Sequence, residues 1–261
     1  MLRQIRTLLR YRLLVQSLVS RELKARYRGS VLGFLWSFVN PLLLLLTYGL
    51  VFTFMLPVDR SPETQPYFLF IFCGILPWTW FQSSIAESAG VLIAGGNLIK
   101  KVLFPAEVLP VVTVLANLVH FLLGLPILLA FLAWNGRLGA GALLLPLPLL
   151  VQLVFTLGLA LFVSALTVHF RDVQNILSHV LQVWFFATPI IYFYGNKVGP
   201  FRKVLQMNPM AHVMVSYQQM LFHGGFDHWK GLTLAGVAAF LTCVVGAFFF
   251  ERLRDTLAEE V

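Results

Sequence analysis

The charged residues with the clearest capacity for chemistry are crowded into one short stretch. Five charged side chains fall between Arg21 and Arg28, within the sequence SRELKARYRGSVLGFLW, and the next charge along the chain is Asp59. Guanidinium and ammonium groups bind phosphates, while their aliphatic stems cover apolar surface. The stretch could therefore bind lipid headgroups, a phosphorylated substrate or a partner protein beside an apolar segment.

The same stretch has the periodicity of an amphipathic helix. At about 100° per residue, one face carries the basic residues Arg21, Lys24 and Arg28. Another face carries Val19, Leu23 and Tyr27. Glu22 precedes Arg26 by one helical turn, the favourable order for an ion pair. If these charges only set the orientation of the next segment, the apolar stripe has no explanation, so we predict an ordered helix in the plane of the inner leaflet.

Three other places carry ionisable groups next to apolar runs. Glu87 could couple ions across a membrane, but a polar residue at a helix boundary is the simpler interpretation. His120 lies inside an apolar run, where a packed, hydrogen-bonded role is favoured over a proton relay. Arg171 and Asp172 are adjacent and are interpreted as an ion pair at a helix end.

Sequence motifs for catalysis are absent. The chain has no G-x-x-x-x-G-K-[ST] phosphate loop, no G-x-S-x-G or H-E-x-x-H motif, and no Cys/His spacing typical of zinc. Cys73 and Cys243 both lie in apolar runs, which is typical of core side chains. We therefore predict that this chain is not an enzyme and that it binds no cofactor or metal of its own.

The elements that position these residues must lie in a membrane. Of 261 residues, 59% are hydrophobic and 11% are charged, whereas a soluble domain has about a quarter charged residues. A net charge of +8 would suit nucleic acid in a soluble protein, but the charges flank apolar runs, so we expect no nucleic acid partner. The first apolar run, Val31–Leu56, is much longer than the core of a secretory signal, about 7–15 residues.

Six uncharged runs are long enough to cross a bilayer, which takes about 20 apolar residues. They are Val31–Leu56, Thr64–Ala86, Val108–Gly136, Leu138–Val168, Val173–Asn196 and Gly231–Phe250. A further run, Val204–Phe226, contains many polar groups and a Gly224-Gly225 pair, which are costly in hydrocarbon. We predict that this run is a broken re-entrant or interfacial segment between the fifth and sixth spans.

Basic residues predict the orientation. With the N-terminus inside, thirteen of the nineteen lysines and arginines fall on inner segments, as the positive-inside rule requires. We therefore expect both termini in the cytoplasm. The chain is taken as one domain, 1–261, with a cytoplasmic or interfacial helix over 1–30, six spans over 31–250 and a cytoplasmic tail over 251–261.

Two further features concern loops and aromatic residues. The sequence Gly90–Pro110, between the second and third spans, predicts a short amphipathic helix that is ended by Pro105.

Aromatic residues recur along the first and fifth spans: Trp36, Tyr48, Phe52, Trp184, Phe185, Tyr192 and Tyr194. In a pore they could stack on the apolar faces of sugar rings, although simple packing is the more ordinary interpretation.

Four segments in order resemble those of one family. They are SRELKARYRGSVLGFLWSFVNPLLLL, NLIKKVLFPAEVLPV, VHFRDVQNIL, and WFFATPIIY followed by NPM. Together they resemble the membrane subunits of type-2 ABC exporters, and more narrowly the branch that exports O-antigen, teichoic acid and capsular polysaccharides. The resemblance extends from about Arg10 to the sixth span.

This resemblance implies an all-α membrane protein with six spans, an amphipathic helix before the first span and short outer re-entrant helices after the fifth. Two copies would enclose a translocation path, and each would dock on a separate subunit that binds ATP. The segment that matches Asn97–Pro105 would supply the coupling helix. The implied coupling residues are Asn97, Lys100, Lys101, Phe104, Pro105 and Glu107, and those at the cytoplasmic entrance are Arg21, Lys24, Arg26 and Arg28. Aromatic side chains would line the path.

The expected function is export of a lipid-linked or otherwise long polysaccharide across the bacterial plasma (inner) membrane, in contact with membrane lipids. One alternative is the same fold exporting a drug or another amphipathic small molecule. A membrane glycosyltransferase would require clustered acids or a metal site. An ion-coupled transporter would work without any ATPase.

Overall fold

The computed structural model describes residues 10–51, 64–96, 98, 105–194 and 202–260, with the side chains of 202 and 254–260 outside the description. All regular structure in these residues is helical. The α-helices are α1 (Arg12–Arg26), α2 (Trp36–Leu50), α3 (Tyr67–Ala94), α4 (Val108–Trp134), α5 (Pro146–His169), α6 (Val173–Phe186), α7 (Arg202–Met207), α8 (Pro209–Gln218) and α9 (Trp229–Glu260). Short 3₁₀ turns cover Gly33–Leu35 and Ala140–Leu144, and a π-helical turn covers Gln219–His223.

Five helical segments within the described residues are long and apolar enough to span a membrane. They are Gly33–Leu50, Tyr67–Ala94, Val108–Trp134, Ala140–His169 and Trp229–Leu253. These segments correspond to five of the six predicted spans. The all-helical membrane class is therefore confirmed, while the remaining predicted span differs in form.

The predicted fifth span, Val173–Asn196, is not a continuous helix. Helix α6 has 14 residues and ends at Phe186, a length of about 21 Å. The sequence Thr188-Pro189 follows, and proline both lacks an amide donor and disfavours helix in the residue before it. Hydrophobic length alone therefore does not predict the end of α6.

Helix α6 and residues 187–194 that extend from it, together called the α6 segment, nevertheless run the length of the central helix α3. Gln174 lies beside Gly90, the Phe185 ring is 5.7 Å from that of Trp78, and the Phe193 ring is 6.4 Å from that of Phe70. From Gly90 back to Phe70, α3 rises about 30 Å, the thickness of the hydrocarbon core.

Helices α5 and α9 run parallel to each other. A Cβ on Gly236 would contact Val151, one on Gly158 would meet Cys243, and the Phe162 and Phe249 rings are 5.1 Å apart. Parallel neighbours require the intervening chain to return to the opposite end of the bundle. The α6 segment makes this return.

The predicted break in Val204–Phe226 is present, since this run forms α7, α8 and the π-helical turn. Asn208 begins α8 halfway along the bundle, where its Nδ2 donates to the Ala187 carbonyl at 2.9 Å and its Oδ1 accepts from Trp184 Nε1 at 2.9 Å. Gln218, at the other end of α8, donates to the Pro189 carbonyl at 3.0 Å. These bonds satisfy the polar groups whose cost in hydrocarbon motivated the prediction.

Candidate functional site

One candidate site lies at the C-terminal end of α1, where this helix contacts α3 and α4. Arg26, in the last turn of α1, donates to Asn117 Oδ1 at 2.9 Å and to Glu87 Oε2 at 2.5 Å. Asn117 Nδ2 donates to the same Glu87 oxygen at 2.8 Å. Glu22 Oε1 is 3.8 Å from Arg26 Nε, as the helical spacing predicted. One guanidinium thus joins α1 to both α3 and α4, and Glu87 serves as its partner.

Tyr27, the residue that follows α1, continues the contact. The Tyr27 hydroxyl lies 3.4 Å from His120 Nδ1 and accepts from Ser37 Oγ at 3.1 Å. The Tyr27 and His120 rings meet edge to face at 5.8 Å, which agrees with the packed role expected for His120. These residues line a cavity of about 230 Å³ between α2, α3 and α4, together with polar side chains such as Asn40 and Ser83.

The other basic residues of α1 have a different environment. Arg21, Lys24 and Arg28 are exposed. The apolar side of the helix packs against the start of α4, where Val15, Val108 and Val112 form a small cluster. The apolar stripe therefore contacts protein, which leaves the three exposed cations free to meet other groups.

A second candidate site is the exposed polar face of α6. Its residues Asn175, Ser178, His179 and Gln182 are all exposed, and at about 100° per residue they share one side of the helix. A second exposed side is apolar, with Ile176, Val180 and Val183. The side that packs on the bundle carries Leu177, Leu181, Trp184 and Phe185. Charges and aromatic side chains do not reveal this face; the spacing of the uncharged polar residues along the run is the signal that could have predicted it.

The two predicted aromatics on α6 lie against the bundle. The Trp184 ring meets Phe81 edge to face at 5.3 Å, and its indole nitrogen donates to Asn208. Phe185 meets Trp78 edge to face at 5.7 Å. Both side chains are half-buried and hold α6 in place.

The remaining predicted aromatics are spread along the structure. Trp36 is half-buried and donates to Ser30 Oγ at 2.9 Å. Tyr48 is partly buried against the main core, and the Tyr192 hydroxyl donates to the Phe186 carbonyl at 3.2 Å. Tyr194 lies beside a histidine pair, and Phe52 lies outside the described residues.

Most predicted coupling residues also lie outside the described residues: Asn97, Lys100, Lys101 and Phe104. Pro105 and Glu107 are described, and both are buried immediately before α4. The Pro105 carbonyl accepts from Val108 N at 3.0 Å, which opens the helix. The Glu107 side chain is 3% exposed, so this part of the coupling segment is anchored in the fold.

Across the described residues, no group of three or more His, Cys, Asp or Glu side chains could hold a metal. Ionisable and polar side chains instead join helices or lie on one exposed helix face. Together with five helices that are long and apolar enough to span a membrane, these features define a multi-pass membrane protein.

Comparison with known proteins gives the family. The model of the ABC-2 type transporter family matches residues 13–222, and the chain belongs to this family. It is 40% identical over 265 residues, covering all of both chains, to the O-antigen export system permease protein RfbA of Myxococcus xanthus. A relative of the same name from Klebsiella pneumoniae is 32% identical over 93% of this chain and 92% of its own. The polysialic acid transport protein KpsM of Escherichia coli is 23% identical over 93% of this chain and 94% of its own.

The resemblance drawn from four motifs is therefore confirmed. The chain is the membrane subunit of an ABC transporter, a transport component and not an enzyme. Family membership implies a separate ATP-binding subunit as its partner.

Proposed function

We propose that this chain is the permease half of an exporter that moves an O-antigen-like, lipid-linked polysaccharide across the bacterial inner membrane. Full-length identity of 40% to an O-antigen export permease supports the substrate class. The partner subunit binds and hydrolyses ATP, and the permease provides the path.

The exposed polar face of α6 carries the structural argument. Amides and a histidine are unfavourable against lipid, since polar groups in hydrocarbon lose hydrogen bonds to water. A face with Asn175, Ser178, His179 and Gln182 must therefore meet water or another copy of the chain. Two copies with these faces towards each other form a hydrated path in which amides and hydroxyls exchange hydrogen bonds with sugar hydroxyls.

Aromatic residues complete this proposed path. Trp36, Tyr48, Phe52, Tyr192 and Tyr194 are candidates to stack on sugar rings. Trp184 and Phe185, which face the bundle, are candidates only if α6 rotates during transport. Otherwise they support the polar face from behind.

The proposed topology has six crossings, with both termini in the cytoplasm. The α6 segment serves as the fifth crossing, because it runs beside α3 for the thickness of the hydrocarbon core. The α1 end of the bundle is then cytoplasmic, and α7 and α8 re-enter from outside. Arg21, Lys24 and Arg28 would face phosphate groups of lipid or substrate, or the partner.

Coupling would begin at Asn97–Pro105, with Lys100, Lys101 and Phe104 docked on the ATPase. Pro105 and Glu107 are buried immediately before α4, so a displacement of this segment is transmitted to α4. Helix α4 carries Asn117, which binds Arg26, and the movement reaches α1.

Deletion of the gene tests this function. We expect loss of long-chain polysaccharide from the cell surface, intracellular accumulation of lipid-linked polymer, and rescue by the wild-type chain. Normal surface polysaccharide together with increased sensitivity to an amphipathic drug would instead favour the small-molecule exporter.

A further inference from the structure

A cavity of about 410 Å³ lies at the end of the bundle away from α1. It is formed by the extension after α6, the π-helical turn and the loop before α9. We call it the loop pocket and define it by Phe193, Tyr194, Gln219, His223, Phe226 and Asp227. None of the coupling or entrance residues contributes to it.

The loop pocket combines aromatic surface with hydrogen-bonding groups. Phe193 is 42% exposed, and Phe70 forms a fully buried base beneath it. Phe226 is fixed edge-on against Trp229, with ring centroids 4.5 Å apart. Aromatic faces pack on the C–H surface of a sugar ring, while carboxylates and amides bind its hydroxyls.

Two polar side chains of the loop pocket have hydrogen-bonding capacity left for a ligand. Gln219 Oε1 accepts from the backbone amides of Asp227, at 3.2 Å, and His228, at 3.1 Å. This fixes the amide group so that its NH₂ is the part available to donate. The exposed Asp227 carboxylate makes no ion pair within the described residues, and it can accept from two adjacent hydroxyls.

Hydrogen bonds among residues that adjoin the loop pocket order its surroundings. His212 Nδ1 and His228 Nε2 are 2.9 Å apart, and His212 Nε2 lies 2.9 Å from the Gln206 carbonyl. Gly224 adopts φ +71°, and its carbonyl accepts from Gly141 N at 2.9 Å. A pocket that is already ordered loses little conformational entropy when a ligand binds.

The charge of the loop pocket selects among ligands. Within the described residues, its lining includes an aspartate and no lysine or arginine. An anionic lipid headgroup or an acidic sugar would be repelled by Asp227, whereas neutral hydroxyls would be attracted.

We propose that the loop pocket is a subsite for one neutral sugar ring of the exported polysaccharide. The proposal rests on the export function above and on the outward placement of this end. In the proposed topology the pocket lies at the outer end of the α6 segment, so it receives sugar that has already passed the polar face. A site of low affinity at this position, present in each copy, holds the polymer on the outer side and so opposes its return.

The test uses the complete transporter in nanodiscs with the lipid-free polysaccharide that mild acid releases from the bacterium carrying this gene. Saturation-transfer difference NMR reports which sugar protons touch the protein. We expect signals from ring C–H protons, a loss of most of that signal in Phe193→Ala, and binding weakened about tenfold in Asp227→Asn, where a charged acceptor is lost. Lys230→Gln, at an exposed position nearby, should bind as wild type does.

Equal signals in wild type and both pocket variants would overturn the subsite. A phospholipid that co-purifies with wild type and is lost in Phe193→Ala would also overturn it in favour of a lipid site. If the deletion strain lacks surface polysaccharide but no pocket-dependent signal appears, the subsite alone fails. If the deletion strain has normal polysaccharide, the export function itself fails.

Discussion

At the scale of single residues, Arg26 and Tyr27 hold the end of α1 on the bundle, where they meet Glu87 of α3 and His120 of α4. The sequence predicts a boundary residue at Glu87 and a packed histidine at His120, but it does not identify these distant partners. Periodicity describes one helix at a time and carries no information about which helices touch. Asn117, which completes the Arg26 site, had no signal in the sequence at all.

The Arg26 site gives a prediction about α1. Arg26→Gln should loosen α1 from α3 and α4, because Glu87 and Asn117 lose their cationic donor. The side chains are partly exposed, so the expected cost is modest, about 1 kcal/mol. Limited trypsin digestion should cleave the variant faster at Arg21 and Lys24.

Arg21→Gln is the matched control, since Arg21 is an exposed cation on the same helix. It removes one cleavage site, so the comparison uses cleavage at Lys24. Equal digestion of the Arg26 and Arg21 variants at Lys24 would show that the site does not hold α1.

The histidine pair predicts a pH dependence. Burial, together with positive charge on the adjacent His212, lowers the pKa of His228 to about 4. The ordinary histidine pKa is 6.5, so the unfolded chain takes up this proton first. The stability due to neutral His228 is therefore complete above pH 6.5 and is lost as the pH falls towards 4.

Melting temperatures of the purified permease between pH 7 and pH 4 measure this effect. His228→Asn should flatten the acid-side decrease, because asparagine can donate to His212 without titrating. His179→Asn removes an exposed histidine and should leave the slope unchanged. An unchanged slope in the His228 variant would mean that other groups cause the acid sensitivity.

At the scale of elements, hydrophobic length identified the long helices well. The predicted run Val108–Gly136 became α4, Val108–Trp134, which continues through Pro126. Length could not predict that α6 ends at Phe186 before a Thr-Pro pair, because α2, α3 and α4 each continue through a proline. Nor could it reveal that α5 and α9 are parallel neighbours, which depends on tertiary packing.

The contact between α5 and α9 gives a prediction about helix packing. A Cβ at Gly158 would lie 2.6 Å from the Cys243 backbone, and backbone cannot move aside as a flexible side chain can. Gly158→Ala should force α5 and α9 apart and destabilise the fold by about 1–3 kcal/mol or more. Thermal unfolding followed by circular dichroism in detergent measures the change.

Gly236→Ala is the control on the same interface, because its added Cβ would lie 3.8 Å from Val151 Cγ2, an ordinary contact. It should leave the melting temperature unchanged or raise it slightly, since alanine favours helix. Similar losses at both positions would indicate a general intolerance of α5 and α9 to substitution.

At the scale of the whole molecule, the family and the membrane class followed from sequence, but the path did not. The seven aromatic residues were selected by type along two spans. The structure turns two of them towards the bundle and presents amides and hydroxyls on the open side of α6. Which side of a membrane helix is open depends on the packing of the other helices, and this is not encoded in the helix itself.

The last prediction concerns water in the proposed path between two copies. Single cysteines placed on α6 should react with a membrane-impermeant maleimide according to their face. The background carries Cys243→Ala and retains the fully buried Cys73. Ser178→Cys and Gln182→Cys should label readily, because a thiol reacts as the thiolate, which forms in water. Val180→Cys, two residues from Ser178 but on the apolar exposed face, should label slowly against lipid. A rate equal to that of Ser178→Cys would remove the argument for a hydrated α6 face. A bifunctional maleimide should also join two Ser178→Cys chains into a dimer within intact membranes, as expected if the two polar faces oppose each other across the path.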